Sequence, residues 1–226
     1  MESSQDKKIL IWGAGKIGRG FVAEAFYAGG YELAFVDADQ GLIDSLNTAG
    51  AYEIVKATPE GEPEIVQVDR LSAFHVSSTK TIDSLVKTVP YIAIAVFPKI
   101  FDILADALVP GIVARGAADL FREKLKERLD DRSKEYFNTK VGLVDTVIMR
   151  IAIPTPDRFS SYGPLTVTTN GFPYMPVAKN AFKGEIPDVP ILRPIDEIEA
   201  EETRKFYTYN MAHATFAYAG SMRGKK

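Results

Sequence analysis

A short apolar run that ends in a glycine-rich turn constrains the fold of this 226-residue chain more than any other feature. Residues 9–12 (ILIW) have the composition of a strand buried on both faces, which is typical of a parallel sheet. The turn that follows, residues 13–18 (GAGKIG), matches G-x-G-x-x-G and leads into helical spacing, a glycine pair and a second apolar run that closes at Asp37. Strand, turn, helix and strand in about thirty residues make a right-handed βαβ unit. The sequence therefore predicts an α/β fold with a doubly wound parallel sheet of the Rossmann type.

The glycine turn has the chemistry of a dinucleotide site. Its three glycines permit the tight turn, the approach of a pyrophosphate to the backbone, and close packing of the helix on the sheet. The helix N-terminus then offers N–H groups to the phosphates. Asp37 stands where a carboxylate accepts hydrogen bonds from ribose hydroxyls and repels the 2′-phosphate of NADP, so NAD is the predicted cofactor. The alternative is a turn without a ligand, capped by Asp37. The candidate cofactor-binding residues are Gly13, Ala14, Gly15, Lys16, Ile17, Gly18, Arg19, Asp37 and Phe97.

The remaining pattern predicts two domains. Residues 1–152 are interpreted as the NAD-binding Rossmann domain, and residues 153–226 as the start of a substrate or catalytic domain that ends in a helix over about 200–219, because prolines accumulate from Pro154 onward. Within the first domain we expect a hairpin-type insertion of two strands and four further helices. The insertion is expected at 52–55 and 65–68, two further strands at 74–76 and 91–96, and the helices at 40–47, 81–87, 99–108 and 117–132. In the second domain an alternating stretch at 165–169 indicates antiparallel strands.

Composition excludes several classes of function. The chain has no cysteine and two histidines, so neither a cysteine-ligated zinc nor a histidine-rich metal site is available, and no metal is predicted. The net charge of −3 and the absence of a basic stripe argue against nucleic acid as a partner. The longest apolar stretch, residues 91–97, is too short to span a membrane, and the N-terminus lacks a signal-peptide core. We therefore expect a cytoplasmic protein. A monomer or a homodimer is expected.

Two sets of residues compete for catalysis of alcohol oxidation without a metal. Tyr136 and Lys140 match the Tyr-x-x-x-Lys of short-chain reductases, but Glu123 stands where the partner serine is expected, and a surface pair is the favoured interpretation. In the terminal helix, Lys205, Asn210 and His213 fall within an arc of about 140° on a regular α-helix, so they can face one cleft. A partly desolvated lysine can take the hydroxyl proton, while Asn210 and His213 donate hydrogen bonds to the substrate oxygen. The alternative is an ordinary amphipathic helix.

The two ends of the chain resemble the polyol-specific long-chain dehydrogenases, particularly mannitol-1-phosphate 5-dehydrogenases. The resemblance is carried by residues 13–21 (GAGKIGRGF), 35–37 (FVD), 42–47 (LIDSLN) and 205–220, which include the motif YTYNMAHA. It implies that Lys205 is the catalytic base and that Asn210 and His213 polarise the substrate oxygen. Residues 144–151 resemble the segment that lines the substrate site, where Asp145 replaces a substrate-contacting Asn of some members. A turn residue at the end of a strand is the alternative for Asp145.

Three departures from this family pattern stand out. Met149 precedes Arg150 where the family has an acidic residue. Only residues 111–116 stand where the family has a further strand and an Asn-containing loop, so a strand of the sheet is expected to be missing. Family members also continue into a long helical C-terminal region that this chain lacks, and truncation, internal deletion and incomplete representation all remain open.

The main hypothesis is an NAD-dependent dehydrogenase that interconverts mannitol 1-phosphate and fructose 6-phosphate. The alternatives are a dehydrogenase or reductase of an unphosphorylated polyol or a sugar acid, of the mannitol 2-dehydrogenase or uronate reductase type, and a non-catalytic NAD-binding remnant. Either enzyme would have a small polyol or sugar-phosphate substrate as its partner. Arg150, Lys179 and Lys183 are candidates for contacting a substrate phosphate, although ordinary surface charge is favoured for all three.

Overall fold

The structure is a computed structural model that describes residues 7–57, 62–97, 105, 118–155 and 162–224. The strands are β1 (Lys8–Trp12), β2 (Glu32–Asp37), β3 (Tyr52–Lys56), β4 (Glu64–Val68), β5 (Leu71–His75), β6 (Tyr91–Ile94), β7 (Ala152–Ile153), β8 (Val167–Thr169), β9 (Met175–Ala178) and β10 (Leu192–Ile195). The α-helices are α1 (Ala23–Ala28), α2 (Gln40–Ala49), α3 (Thr79–Thr88), α4 (Ala118–Lys126), α5 (Asp131–Lys140), α6 (Ile198–Lys205) and α7 (Met211–Met222). Two π-helical turns, Gly18–Val22 and Phe206–Asn210, precede α1 and α7.

A parallel sheet forms the centre of the predicted Rossmann domain. Its strand order is β5-β2-β1-β6, and each neighbouring pair runs parallel, which confirms the predicted fold class. In β1, Ile9 and Ile11 belong to one apolar core, while Leu10 and Trp12 belong to another. Because successive side chains of a strand point to opposite faces, this alternation shows that the sheet is covered on both sides.

The expected insertion of two strands is present and belongs to a second sheet. Strands β3 and β4 pair antiparallel, and β3 also pairs parallel with β8, which in turn pairs antiparallel with β7, so the strand order is β4-β3-β8-β7. Strands β9 and β10 form a separate parallel pair. The residues after position 152 thus share a sheet with the first domain, and Met175 and Val177 join the same core as Ile9 and Phe35.

Three sequence predictions need correction. The sequence predicts one helix over residues 117–132, but α4 ends at Lys126 and α5 begins at Asp131. The Asp130 side chain accepts a hydrogen bond from the backbone N–H of Ser133 and so caps a new helix. Strand β6 is half-buried instead of fully buried, and it is the last strand of the sheet within the described residues. The terminal helix contains a π-helical turn and is not a regular α-helix. The predicted helix at 99–108 lies outside the described residues apart from Ala105.

Candidate functional site

The glycine turn after β1 requires glycine at two positions for steric reasons. Gly13 has φ +105°, a conformation that other residues rarely adopt, and its backbone N–H donates to Val36 O at 2.8 Å. A Cβ atom on Gly18 would lie 1.9 Å from the carbonyl oxygen of Gly13. The turn therefore closes only because these two residues lack side chains.

The space beside the Cα atom of Gly15 is empty, whereas neighbouring atoms crowd Gly13 and Gly18. A Cβ atom at Gly15 would have no heavy atom within 4 Å, and both Gly15 and Lys16 are exposed. The chain becomes helical at residue 16, so the N–H groups of the first helical turn lack intrahelical acceptors, as at any helix N-terminus. An open backbone beside such N–H groups fits an anion such as a diphosphate.

The side chain of Asp37 reaches from the end of β2 to this turn. Its Oδ2 accepts the backbone N–H of Ala14 at 2.7 Å, and its Oδ1 accepts the N–H of Asp39 at 3.0 Å. An ionised carboxylate can accept about four hydrogen bonds, so these two contacts leave acceptor capacity for further donors. The carboxylate is therefore adjacent to the turn and still able to accept hydrogen bonds from a ribose.

Arg19 lies beneath the turn and is buried. Its Nε donates to Ala14 O at 2.7 Å, its Nη1 donates to Leu165 O, and its guanidinium lies 5.6 Å from the ring centre of Tyr52. Burial lowers the pKa of Arg19, an effect opposed by Tyr52 and Asp37. Backbone carbonyls already bind two of its nitrogens. The cofactor-binding role of Arg19 stays a prediction.

A large cavity begins at the glycine turn and extends along β6. Its volume is about 1290 Å³, and its walls include Ile17, Val96 and Phe97 near the turn. Phe97 is 76 % exposed. Its lining also includes alternate residues of the segment after α5, namely Gly142, Val144, Thr146 and Ile148. We call this space the β6 cavity.

The three catalytic candidates of the terminal helix do not belong to the described lining of the β6 cavity. Lys205 is half-buried at the end of α6, whereas Asn210 and His213 are exposed. The π-helical turn between Lys205 and Asn210 is wider than an α-helical turn, so the arc expected for a regular helix does not apply. Their catalytic roles remain predictions.

Asp145 is buried within the extended segment that borders the cavity. Its backbone oxygen accepts the N–H of Ala178 at 2.9 Å, and the next residue, Thr146, forms a bridge with Val177. The cavity is lined by its two neighbours, Val144 and Thr146, and Asp145 itself is not among the described lining residues. The substrate contact implied by the resemblance is therefore a prediction for Asp145.

The interpretation of Arg150 as surface charge is wrong. Arg150 is 3 % exposed, and its Nη1 donates to Glu24 Oε2 and to Gly20 O, while Lys56 Nζ lies 2.7 Å from Glu24 Oε1. Burial lowers the pKa of Arg150 to about 10, so it stays charged at neutral pH. Glu24 in the apolar run 21–26 (FVAEAF) and Arg150 in 147–153 (VIMRIAI) each interrupt an apolar run, and that signal could have indicated that both charges are buried.

The other candidate side chains lie elsewhere. Lys179 is exposed and lies 3.4 Å from Asp196, as surface charge predicts. Tyr136, Lys140 and Lys183 line the β6 cavity. Gly142, two residues after Lys140, packs against the backbone of Lys183. Two residues further on, the backbone oxygen of Glu185 accepts the hydroxyl of Tyr91, at the start of β6, at 3.0 Å. Tyr136 and Lys140 therefore belong to the end of the cavity opposite the glycine turn.

Residues 7–121 match the family described as the mannitol dehydrogenase Rossmann domain. The chain is also 31 % identical over 241 residues to the mannitol-1-phosphate 5-dehydrogenase of Aspergillus clavatus and 30 % identical over 237 residues to that of Aspergillus fumigatus. Each alignment covers 97 % of this chain and 60 % of the relative. The chain belongs to the mannitol dehydrogenase family. The predicted resemblance is thus confirmed, and the match to the family's Rossmann domain supports NAD as the cofactor.

Solved structures confirm the fold. A substrate-free D-sorbitol dehydrogenase superposes with a TM-score of 0.69 at 12 % identity, covering 90 % of this chain and 57 % of the other. A protein from Enterococcus faecalis described as a 2-dehydropantoate 2-reductase gives a TM-score of 0.56 at 16 % identity over 88 % of this chain and 60 % of the other. At these identities the likeness concerns architecture alone.

Within the described ranges, no group of three or more His, Asp or Glu side chains is arranged to hold a metal ion. No helix in the same part of the chain is both long enough and apolar enough to cross a membrane.

Proposed function

We propose that this chain binds NAD and belongs to an NAD-dependent polyol dehydrogenase whose substrate is mannitol 1-phosphate or fructose 6-phosphate. The observation that carries the proposal is the open backbone at Gly15 beside the carboxylate of Asp37. The chain spans 60 % of the length of the curated relatives it matches, and both of those relatives are mannitol-1-phosphate 5-dehydrogenases. Because the match covers only part of these relatives, the dehydrogenase activity of a whole protein of this family is a proposal here.

Cofactor binding is assigned to the turn and to the end of β2. The N–H groups of Lys16, Ile17 and Gly18 would hold the diphosphate, and the spare acceptor capacity of Asp37 would hold the ribose hydroxyls. A negatively charged 2′-phosphate would meet the carboxylate, so NAD is preferred over NADP. When bound, the nicotinamide accepts or supplies the hydride of the alcohol–carbonyl interconversion.

Proton transfer is assigned to the terminal helix. Lys205 would take the hydroxyl proton of the polyol, and Asn210 and His213 would donate hydrogen bonds to the substrate oxygen as its charge develops. Asp145 would contact the substrate from the extended segment. These assignments follow the family resemblance at residues 205–220 and 144–151.

A second candidate function is NAD binding without catalysis. The observation that favours it is the position of Lys205, Asn210 and His213 outside the described lining of the β6 cavity. Under this alternative the chain binds NAD as a sensor or scaffold and turns over no polyol.

A substrate panel distinguishes these proposals. NADH formation is followed by nicotinamide absorbance with mannitol 1-phosphate, mannitol and an aldonate, on this chain and on the longer Aspergillus clavatus relative as a working control. The main proposal predicts turnover of mannitol 1-phosphate that Lys205→Ala abolishes and the exposed control Lys179→Ala preserves. NAD binding with no turnover of any substrate supports the sensor, and faster turnover of mannitol or an aldonate contradicts the phosphorylated substrate.

A further inference from the structure

His75 ends strand β5 beside the carboxylate on which the proposed cofactor site depends. In the parallel pair of β2 and β5, Asp37 and His75 are partners in register, so the two strands end at the same edge of the sheet. The backbone N–H of Val76 donates to Asp37 O at 3.0 Å and fixes the main chain at the end of β2. His75 is therefore adjacent to the segment 37–39, in which the chain leaves β2.

The hydrogen bonds of the His75 ring determine which of its nitrogens carries the proton. Nδ1 accepts the backbone N–H of Ser77 at 3.2 Å, and the Ser77 hydroxyl lies 2.7 Å from the same nitrogen. A neutral imidazole whose Nδ1 is an acceptor carries its proton on Nε2. Nε2 lies 3.1 Å from the backbone oxygen of Ala38 and donates to it, because a carbonyl oxygen can only accept. The ring thus holds the Ala38 carbonyl in place.

One peptide group connects this ring to the carboxylate of Asp37. The oxygen of Ala38 and the N–H of Asp39 belong to the same peptide group, which is trans and planar, so they point in opposite directions. The Asp39 N–H donates to Asp37 Oδ1 at 3.0 Å. Because His75 fixes the oxygen of this peptide group, it also fixes the direction of the N–H that holds Asp37 Oδ1.

The second oxygen of the carboxylate contacts the glycine turn. Asp37 Oδ2 accepts the backbone N–H of Ala14 at 2.7 Å. With one oxygen held by the 38–39 peptide and the other by the turn, the plane of the carboxylate is set. The directions of the acceptor sites that remain for a ribose are set with it. A residue that orients the 38–39 peptide therefore orients these acceptor sites.

We propose that His75 is a positioning residue for the nucleotide. It orients the Asp37 carboxylate through the 38–39 peptide, and it thereby strengthens both the binding of the ribose and the discrimination against a 2′-phosphate. His75 acts through Asp37 and is assigned no contact of its own with the nucleotide. The inference rests on the proposed binding of NAD at Asp37, and it extends that site to β5, a strand that carries none of the cofactor residues predicted from the sequence.

Two substitutions separate the hydrogen bonds of His75. The side-chain amide nitrogen of glutamine can occupy the position of Nε2, so His75→Gln keeps a donor for the Ala38 oxygen. The amide of asparagine reaches only the position of Nδ1, so His75→Asn keeps a partner for Ser77 and loses the donor to Ala38. Both variants lose the imidazole ring, so a difference between them reports the contact with Ala38.

The first measurement is the binding of NADH and NADPH, titrated by nicotinamide fluorescence. His75→Asn should lose NADH affinity by about fivefold, as expected from one hydrogen bond, and the preference for NADH over NADPH should fall by a similar factor. His75→Gln should stay close to the parent, and the melting temperatures of the two variants should be alike. In the Asp37→Ala background, His75→Asn should not lower the remaining NADH affinity further, because its effect passes through the carboxylate.

The second measurement needs no nucleotide. Hydrogen exchange of the Ala14 and Asp39 amides is followed by NMR in the nucleotide-free protein, since both N–H groups donate to the Asp37 carboxylate. Exchange at both amides should be about fivefold faster in His75→Asn than in the parent. In His75→Gln it should match the parent.

Three results would overturn the inference. They are equal, measurable NADH affinity in His75→Asn and His75→Gln, a full additional loss from His75→Asn in the Asp37→Ala background, and parent-like exchange at Ala14 and Asp39 in His75→Asn. Failure of the proposed function has a different signature. A parent chain that binds neither nucleotide, while the two amides respond to His75→Asn as expected, counts against NAD binding alone and supports the positioning of Asp37 by His75.

Discussion

The carboxylate of Asp37 accepts the backbone N–H of Ala14 at 2.7 Å and thereby joins the end of β2 to the glycine turn after β1. The same carboxylate accepts the N–H of Asp39 through its other oxygen. One side chain therefore orders both sides of the crevice in which the diphosphate and the ribose are proposed to bind. The preference for NAD and the shape of the turn should consequently depend on the same residue.

The glycines of the turn should differ sharply in their tolerance of alanine. Gly18→Ala forces a Cβ atom to within 1.9 Å of Gly13 O, so we expect a loss of several kcal/mol of stability, on the order of 3, or failure to fold. Gly15→Ala meets no atom within 4 Å, so its melting temperature should change little while NADH binding weakens at least tenfold, because the methyl group occupies the approach of the diphosphate. Melting curves and fluorescence titrations of both variants test this. Normal NADH affinity in Gly15→Ala would contradict the proposed phosphate site.

The buried pair of Arg150 and Glu24 should be important for stability. Arg150→Met leaves Glu24 buried with Lys56 as its remaining ion-pair partner, and breaking a buried pair of this kind costs about 3–5 kcal/mol. The exposed control Arg193→Met should change the unfolding free energy by less than about 0.5 kcal/mol. Urea unfolding of Arg150→Met, Glu24→Gln and the double variant measures the coupling. Additive losses in the double variant would show that the two side chains do not act together.

The Rossmann sheet was predictable because its signals are local. The run ILIW, the glycine spacing and Asp37 lie within thirty residues, and each has a steric or electrostatic reason to stand where it does. The contacts of Arg150 were not predictable in the same way, since its partner Glu24 lies 126 residues away in sequence. Only tertiary packing brings such residues together. The apolar residues around each charge indicate that the charge is buried, but they do not indicate which residue it pairs with.

The terminal helix was placed correctly, but the directions of its side chains were not derivable. A pattern of apolar residues predicts a helix over 200–219, and the helical residues run from Ile198 to Met222. The π-helical turn at Phe206–Asn210 changes the angular relationship between Lys205 and His213, and no residue type in that turn signals it. The common cleft of Lys205, Asn210 and His213 therefore stays a prediction.

Acid should loosen the attachment of α6 through Glu201. Its carboxylate accepts hydrogen bonds from Arg204 and from the hydroxyl of Tyr174 at 2.7 Å, and the bond from Arg204 is the main reason that the pKa of Glu201 is lowered. A lowered carboxyl pKa stabilises the fold above the ordinary pKa of 4.5, and this contribution is lost as pH falls through the lowered value. The melting temperature of Glu201→Gln should therefore fall less steeply below pH 4.5 than that of the parent, and Glu202→Gln should follow the parent. Parallel curves for Glu201→Gln and the parent would refute this linkage.

Polar substitutions on α7 should cost little stability in this chain. Phe216 and Tyr218 are 76 % and 74 % exposed, so Phe216→Ser and Tyr218→Ser should each change the unfolding free energy by less than about 0.5 kcal/mol. Both should improve solubility because they reduce exposed apolar surface. Urea unfolding and light scattering at matched concentrations check the two expectations. A loss above about 2 kcal/mol would show that these side chains are covered in solution.

The most direct test of the central claim is the comparison of NADH and NADPH binding to the parent chain and to Asp37→Ala, measured by nicotinamide fluorescence at one ionic strength. A binding site made by the glycine turn and Asp37 predicts that the parent binds NADH at least tenfold more tightly than NADPH. It also predicts that Asp37→Ala loses NADH affinity and most of this discrimination, since both the ribose acceptor and the repelling charge are removed. Equal affinity of the parent for the two nucleotides, or undiminished NADH preference in Asp37→Ala, would contradict it.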